Sequence, residues 1–400
     1  MGRQYRVISA DSHLEISPER WTPRVPAQFR DRAPRLVKLA NGGDGVIVEN
    51  RGLYVLGLAI TGKPPREHRL DGISYETGPG AGPPEQRLRE QDQDGVDAEV
   101  LFTSAGNGGF WRGIRADDAY RAVIHAYNEF LAEEYCAAAP DRLLATGIIP
   151  SVDVASAISE MEYCARAGLK SVALSGFPNG KSVPTEEDDR FYAAALDLNM
   201  PLTIHVGFIG REGPVFRYQR EPSDVVGFGS DPVRVLTRFG GGTAQNALQM
   251  IVFGVFDRFP KLRFYIAETM IGWFPYFCEQ TDDIYERNRY WAESYYGLEP
   301  LKRLPSEYVR DHFIWGFLHD PIGVRQRHEV GMRNAMWGSD FPHSAGDWPN
   351  SRKTLDEMFA GVPDNERYQL IAGNAIDFFH LDADPIAGGN GRATKEAAIS

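Results

Sequence analysis

The chain has 400 residues, 42% hydrophobic and 24% charged, which is the usage of an ordinary globular protein. Its formal net charge of −12 argues against nucleic acid or an anionic membrane surface as partner. The three cysteines, Cys136, Cys164 and Cys278, are far apart and form no CxxC pair, so neither a disulfide framework nor a thiolate zinc site is indicated, and a reducing, cytoplasmic setting fits.

The N-terminal MGRQYRVISADSH lacks the long apolar core of a signal peptide, and no later run approaches the length of a membrane span. The first strand is expected over Val7 to Glu15. It enters apolar and ends acidic, and strand alternation puts Asp11, His13 and Glu15 on one face. Residues 16–34, rich in Pro and Arg, read as a loop with at most one short helix. Residues 41–66 hold two β-rich runs around Asn50-Arg51-Gly52 and read as a hairpin insertion, expected to contact a partner subunit or cover the active-site mouth. Residues 71–84 are an irregular Gly/Pro-rich loop.

A regular alternation follows. Strands are expected at 98–103, 143–150, 171–175, 201–207, 263–269, within 309–317 and at 334–340. Helices are expected at 84–95, 116–139, 153–167, 186–199, 243–256, 274–291, 321–331, 351–360 and 364–380, with a long loop over 208–242. About eight apolar strands separated by helix-length segments predict an α/β fold, a closed (β/α)₈ barrel of the TIM type carrying a small hairpin insertion. Residues 1–382 then form one domain, and the polar, Gly-rich tail 383–400 is expected to be disordered.

In such a barrel the C-terminal strand ends carry the chemistry. Five of the strands here end in ionisable groups: Asp11, His13 and Glu15; His205; Glu268; His319 and Asp320; and Asp340 and His343. Carboxylates and imidazoles converging on one rim are costly to bury bare, and a divalent cation such as Zn, Mn or Fe resolves that cost. Phe110, Trp111, Phe208 and Trp273 are candidates to wall the pocket. His68, His125, His312, His328 and His380 fall in loops or helices and are read as structural. The Gly clusters near Gly227 and at 240–242 do not form a phosphate loop after a strand.

The segments VISADSHLE, PLTIHVG, GVFDRFPKLRFYIAETMIGWFPYF and NAMWGSDFPHSAGDWPNSR resemble the amidohydrolase superfamily. The likeness is to the amidohydrolase-related branch that includes aminocarboxymuconate-semialdehyde decarboxylase and the non-oxidative aromatic-acid decarboxylases. It spans most of residues 5–380, and WGSDFPH is its most specific piece. The resemblance implies a metal held by Asp11, His13, His205 and Asp340. Two departures stand out. The opening is DSH where HxH or ExH is usual, which makes the site more acidic. Glu268 replaces the histidine that many decarboxylating members carry on the sixth barrel strand.

The expected function is metal-dependent hydrolysis or non-oxidative decarboxylation of a small carboxylate or cyclic substrate. Asp340 moves the proton, with Glu268 and His319 as further catalytic candidates. His343, Trp111, Phe208 and Trp273 contact substrate. Glu15 and Glu268 are also candidate ligands for a second ion, which would suit a dinuclear Mn/Fe or di-iron O₂-dependent hydroxylase on the same fold. The protein is expected to form a homo-oligomer or to pair with a paralogous subunit, and in the latter case it could be a non-catalytic, metal-holding partner.

Overall fold

The computed structural model describes residues 2–40, 42–49, 51–55, 61–68, 72–76, 78–103, 113–208, 241–297 and 299–385. Phe110, Trp111, most of the expected 208–242 loop and the end of the tail lie outside the described residues. Eight strands form one sheet: β1 (Ile8–Leu14), β5 (Ala98–Thr103), β6 (Leu143–Ile149), β7 (Ser171–Leu174), β8 (Leu202–His205), β9 (Phe264–Ala267), β10 (Phe313–Phe317) and β11 (Ala335–Trp337). They are ordered β1-β5-β6-β7-β8-β9-β10-β11, every pairing is parallel, and helices fill the connections. Every residue of these strands is buried, which is why each reads as a short apolar run in the sequence.

The first and last strands meet at a seam. A parallel bridge joins Ser12 to Phe341. The Asp340 amide donates to the Asp11 carbonyl (2.8 Å) and the His13 amide to the Phe341 carbonyl (2.7 Å). A Cβ on Gly338 would lie 2.5 Å from the Asp11 Cβ, so this close approach requires glycine. Between Ser9 and Ser12 the register of β1 on β5 shifts. Three hydroxyls, of Ser9, Ser12 and Ser339, lie 2.8–3.1 Å apart there and tie the two strand ends together.

Arg87 locks the same seam from below. It is buried on the helix Pro84–Asp94. Its Nε donates to Glu99 (2.6 Å) and its Nη1 to the His13 carbonyl (2.8 Å), and its guanidinium lies 4.4 Å from the Phe341 ring. Glu99 also accepts from Ser12 (3.1 Å) and Gln91 (2.7 Å). Buried charges survive only when paired and hydrogen-bonded in this way.

A second sheet lies apart from the barrel, with antiparallel order β2 (Arg35–Lys38), β3 (Asp44–Val48), β4 (Arg51–Val55). The expected hairpin is β3–β4. The sequence reading missed β2, a four-residue strand with no fully buried position to mark it. Val46 and Val48 of β3 are buried in the main apolar core, and the Thr61 amide donates to the Pro342 carbonyl (3.2 Å), so the insertion is packed onto the body and touches the barrel rim.

Several boundaries differ from expectation. Residues 18–32 form three short 3₁₀ turns rather than one helix at most. The expected 243–256 helix breaks at Gly254, whose φ of +69° ends one helix and starts another. The helix from Phe274 runs to Tyr296, past its expected end. Residues 383–385, expected to belong to a disordered tail, are placed against the N-terminus: Ala383 bridges to Arg3, and the Asp384 amide donates to the Arg3 carbonyl (2.9 Å).

Candidate metal centre

Four side chains converge where β1, β8 and β11 end. Asp11 and His13 project from β1, His205 is the last residue of β8, and Asp340 follows β11 by three residues. One donor atom from each lies within 4.8 Å of all the others, and all four residues are buried. His13 Nε2 stands 3.6 Å from Asp11 Oδ1 and 3.1 Å from Asp340 Oδ1, and His205 Nε2 stands 3.4 Å from Asp11 Oδ1.

The tautomer of His13 is set by its surroundings. Its Nδ1 faces the Thr103 carbonyl at 2.9 Å and therefore carries the hydrogen, which leaves the Nε2 lone pair turned to the centre. The 3.1 Å approach to Asp340 is thus one of two ligands toward a common point rather than a hydrogen bond. Burial, with the charge of His343 behind it, lowers the His13 pKa and keeps the ring neutral, as a metal ligand must be. Among the described residues, Asp11 Oδ1 and Oδ2, His13 Nε2 and His205 Nε2 have no hydrogen-bond partner although they are buried. Each such atom costs on the order of 1–3 kcal/mol. A divalent ion satisfies all of them at once, and two imidazole nitrogens with two carboxylates suit Zn, Mn or Fe.

Behind Asp340 lies a carboxylate–imidazole–carboxylate chain. His343 places Nδ1 3.0 Å from Asp340 Oδ1 and Nε2 2.9 Å from Glu15 Oε1. Burial alone would lower its pKa, but Asp340 and Glu15 outweigh it and raise the value to about 10, so the ring is an imidazolium that donates to both acids. Burial would likewise raise Asp340, yet the charge of His343 and the contacts with both imidazoles hold it far below the usual carboxylate range. The His343 ring stacks on His13 with centroids 4.0 Å apart.

The rim backbone is strained. Val206, Glu268, Met270 and Asp340 follow β8, β9 and β11 with φ of 59°, 56°, 57° and 51°. Non-glycine residues reach this left-handed region at a cost of order 1–3 kcal/mol each, and such residues cluster at functional sites. Val206 and Glu268 leave β8 and β9 in this way, so those two strands end earlier than expected.

The other expected site residues divide. Glu268 is buried, with Oε2 3.6 Å from His205 Nε2, beside the centre. Glu15 is directed to His343 rather than to the four-donor point, because β1 ends at Leu14 and alternation with it. The second-ion reading loses its best ligand there, and the hydroxylase it would serve is not supported. His319 is exposed at the end of β10, outside the buried cluster. Asp320 caps the following helix through the Gly323 amide (2.9 Å) and accepts from Ile271 (2.6 Å) and Gly272 (2.7 Å), a structural role. Phe208 is half-buried beyond His205, packed on Phe177 at 4.8 Å. The Trp273 indole donates to the Thr269 and Met270 carbonyls (2.9 and 3.0 Å) and braces the turn after β9.

Sequence reasoning missed Arg87, Glu99 and the serine triad. The one legible signal is Glu99, a carboxylate inside the apolar run AEVLFT, which demands a buried cation.

A family model described as "Amidohydrolase" matches residues 10–381. The chain is 23% identical over 382 residues to 2-amino-3-carboxymuconate-6-semialdehyde decarboxylase of Dictyostelium discoideum, covering 94% of this chain and 93% of that protein. Its fold is similar to that of an amidohydrolase from Mycobacterium avium subsp. paratuberculosis, with a TM-score of 0.71 at 18% identity over 94% of this chain and 99% of the other. It is also similar to 5-carboxyvanillate decarboxylase of Novosphingobium aromaticivorans, solved with manganese and 4-hydroxy-3-methoxy-5-nitrobenzoic acid, with a TM-score of 0.64 at 17% identity over 94% of this chain and 96% of the other.

Proposed function

The chain belongs to the amidohydrolase family, and from that premise we propose that it is a divalent-metal-dependent, non-oxidative decarboxylase of a small aromatic or conjugated carboxylate. The observation that carries the reading is the buried four-donor centre at the strand ends, joined to a buried acid–imidazolium–acid chain. The relative matched over nearly its whole length is named a decarboxylase, and a neighbour in fold is an aromatic-acid decarboxylase with bound manganese. Manganese is accordingly the ion first tested.

Asp11, His13, His205 and Asp340 would hold the ion, which when bound supplies Lewis acidity toward a substrate oxygen. The reaction converts R–COO⁻ and one proton into R–H and CO₂, so the protein must deliver a proton to carbon as the C–C bond breaks. Asp340 is the group placed to pass that proton. His343 stores it and is held in orientation by Glu15. Glu268, beside His205, orients the substrate's polar end, and Phe208 contributes to the wall. The buried centre excludes bulk water, which strengthens the electrostatic interactions of its charged groups with a bound substrate.

The test is CO₂ release from a panel of hydroxylated benzoates and dienoic acids, using chelator-stripped protein reloaded with Mn²⁺ or Zn²⁺. Metal-dependent CO₂ release is expected. Metal-dependent cleavage of esters or amides with no CO₂ from any acid would move the assignment to a hydrolase.

A further inference from the structure

The ligands of the centre differ in what stands behind them. His13 is fixed from behind by the Thr103 carbonyl (2.9 Å) and Asp340 by His343 (3.0 Å). Asp11 has no such support: among the described residues neither of its carboxylate oxygens has a hydrogen-bond partner, although the side chain is buried. Its Oδ1 faces both imidazoles, 3.6 Å from His13 Nε2 and 3.4 Å from His205 Nε2. With one donor atom from each residue given to the ion, Oδ2 is left over. A buried acceptor left bare costs on the order of 1–3 kcal/mol. Donors that satisfy and orient the ligating side chains from behind are a regular part of metal sites.

A donor in the barrel interior is unused as well. The Tyr265 hydroxyl is buried and has no hydrogen-bond partner among the described residues. Its direction follows from β9. Phe264 packs outward on Tyr192 and Phe256 of the surrounding helices, with ring centroids 6.3 and 6.2 Å apart. Alternation therefore turns Tyr265 inward, on the same face as Ala267, which pairs with His205. The Tyr265 ring meets Phe379 and Phe378 (6.0 and 6.2 Å between centroids), and its hydroxyl reaches Gly316, where a Cβ would lie 2.6 Å from the oxygen. That same Cβ would lie 2.9 Å from the Glu268 amide nitrogen, so the hydroxyl sits just beneath the rim, and glycine at 316 leaves it room. Burial first, and then the charge of Asp11, push the Tyr265 pKa well above the ordinary tyrosine value, so the phenol keeps its proton and can donate it. The buried Trp315 Nε1 also lacks a partner, but that ring packs against Trp273 and Phe274 on the helix side.

We propose that Tyr265 is the positioning residue for Asp11: its hydroxyl donates through one internal water to the carboxylate and keeps Oδ1 turned to the metal. The role rests on the metal-centre reading given above. Neither group has a direct partner, and a polar contact beyond hydrogen-bond reach is commonly carried by a bridging water.

The test is Tyr265→Phe, which removes the oxygen and keeps the ring. Mn²⁺ affinity of the full-length protein is measured in a chelator buffer, urea unfolding is followed on the metal-free protein, and the electron paramagnetic resonance spectrum of bound Mn²⁺ is recorded. The variant is expected to bind Mn²⁺ about tenfold more weakly or worse, with an altered Mn²⁺ spectrum. Its metal-free form is expected to be as stable as wild type or more so, because an unpartnered hydroxyl is gone. Phe378→Leu disturbs the packing of the same ring and keeps the hydroxyl, so it should lower metal-free stability and leave Mn²⁺ affinity unchanged. Equal affinity in wild type and Tyr265→Phe overturns the role of Tyr265 and leaves the centre standing. An affinity loss matched by a loss of metal-free stability marks a packing residue and overturns the role too. A wild type that binds no Mn²⁺ overturns the centre and the role with it.

Discussion

His205→Ala removes one of the four donors of the centre and leaves the barrel strand that carries it intact. The magnitude follows from linkage. Metal that binds only the folded chain stabilises it by RT ln(1 + [M]/Kd), about 2.7 kcal/mol when free metal is 100-fold above Kd. Orienting partners one step removed from a metal already cost 10–100-fold in affinity, so loss of a direct donor is set at about 100-fold or more. At the same free metal, the variant's gain then falls to about 0.4 kcal/mol or less. The assay is a thermal scan of wild type and variant with free Mn²⁺ held by a chelator buffer, with elemental analysis of both proteins after desalting. Wild type should show one metal per chain and a clear upward shift of the unfolding transition, and the variant neither. A variant that keeps full metal stoichiometry and the full thermal shift would show that His205 is not a ligand.

Two further outcomes test the surroundings of the centre. Arg87→Met leaves Glu99 buried without its cation and removes the bond to the His13 carbonyl, so urea unfolding of the metal-free protein should show a loss of roughly 3–5 kcal/mol. A loss below 1 kcal/mol would mean the seam holds without this pair. On the outer helices, the pKa of His125 is raised above the ordinary histidine value of 6.5, chiefly by its hydrogen bond to Glu160. A raised folded pKa means the contribution is whole below pH 6.5 and is lost as pH rises through the folded value. The difference in urea midpoint between wild type and His125→Ala should therefore be largest at acid pH and shrink at pH 9, small throughout because the ring is half exposed. A gap that widens with pH would reverse the assigned charge state.

How much of this was legible in the chain can be seen strand by strand. The barrel was legible because a parallel strand covered on both faces needs apolar side chains at every position, and AEVLFT, LLATGII and PLTIH announce themselves. A polar residue closing such a run stands out, which marks Asp11, His13, Glu15, His205, Glu268, His319, Asp340 and His343 as candidates, and the family resemblance singles out Asp11, His13, His205 and Asp340 among them. The strand ends were less legible. Glu268 and Asp340 adopt left-handed backbone at positions without glycine, and nothing in residue type marks that.

The tertiary structure alone decided where Glu15 points. Alternation sends it to the metal side, but the strand stops one residue earlier and the carboxylate turns to His343, some 330 residues away in the chain. It alone placed Arg87, because PEQRLREQDQD has the composition of a solvated helix and its buried side is recognisable only once Glu99 and the Phe341 carbonyl lie beneath it. The sequence by itself determined the fold class and a set of candidate donors at the strand ends, since both rest on local pattern: burial on two faces, and a polar residue at the end of an apolar run; the family resemblance narrowed that set to four. The partners of those donors, and the seam that holds them, were decided by which distant strands meet, and chain proximity carries no information about that.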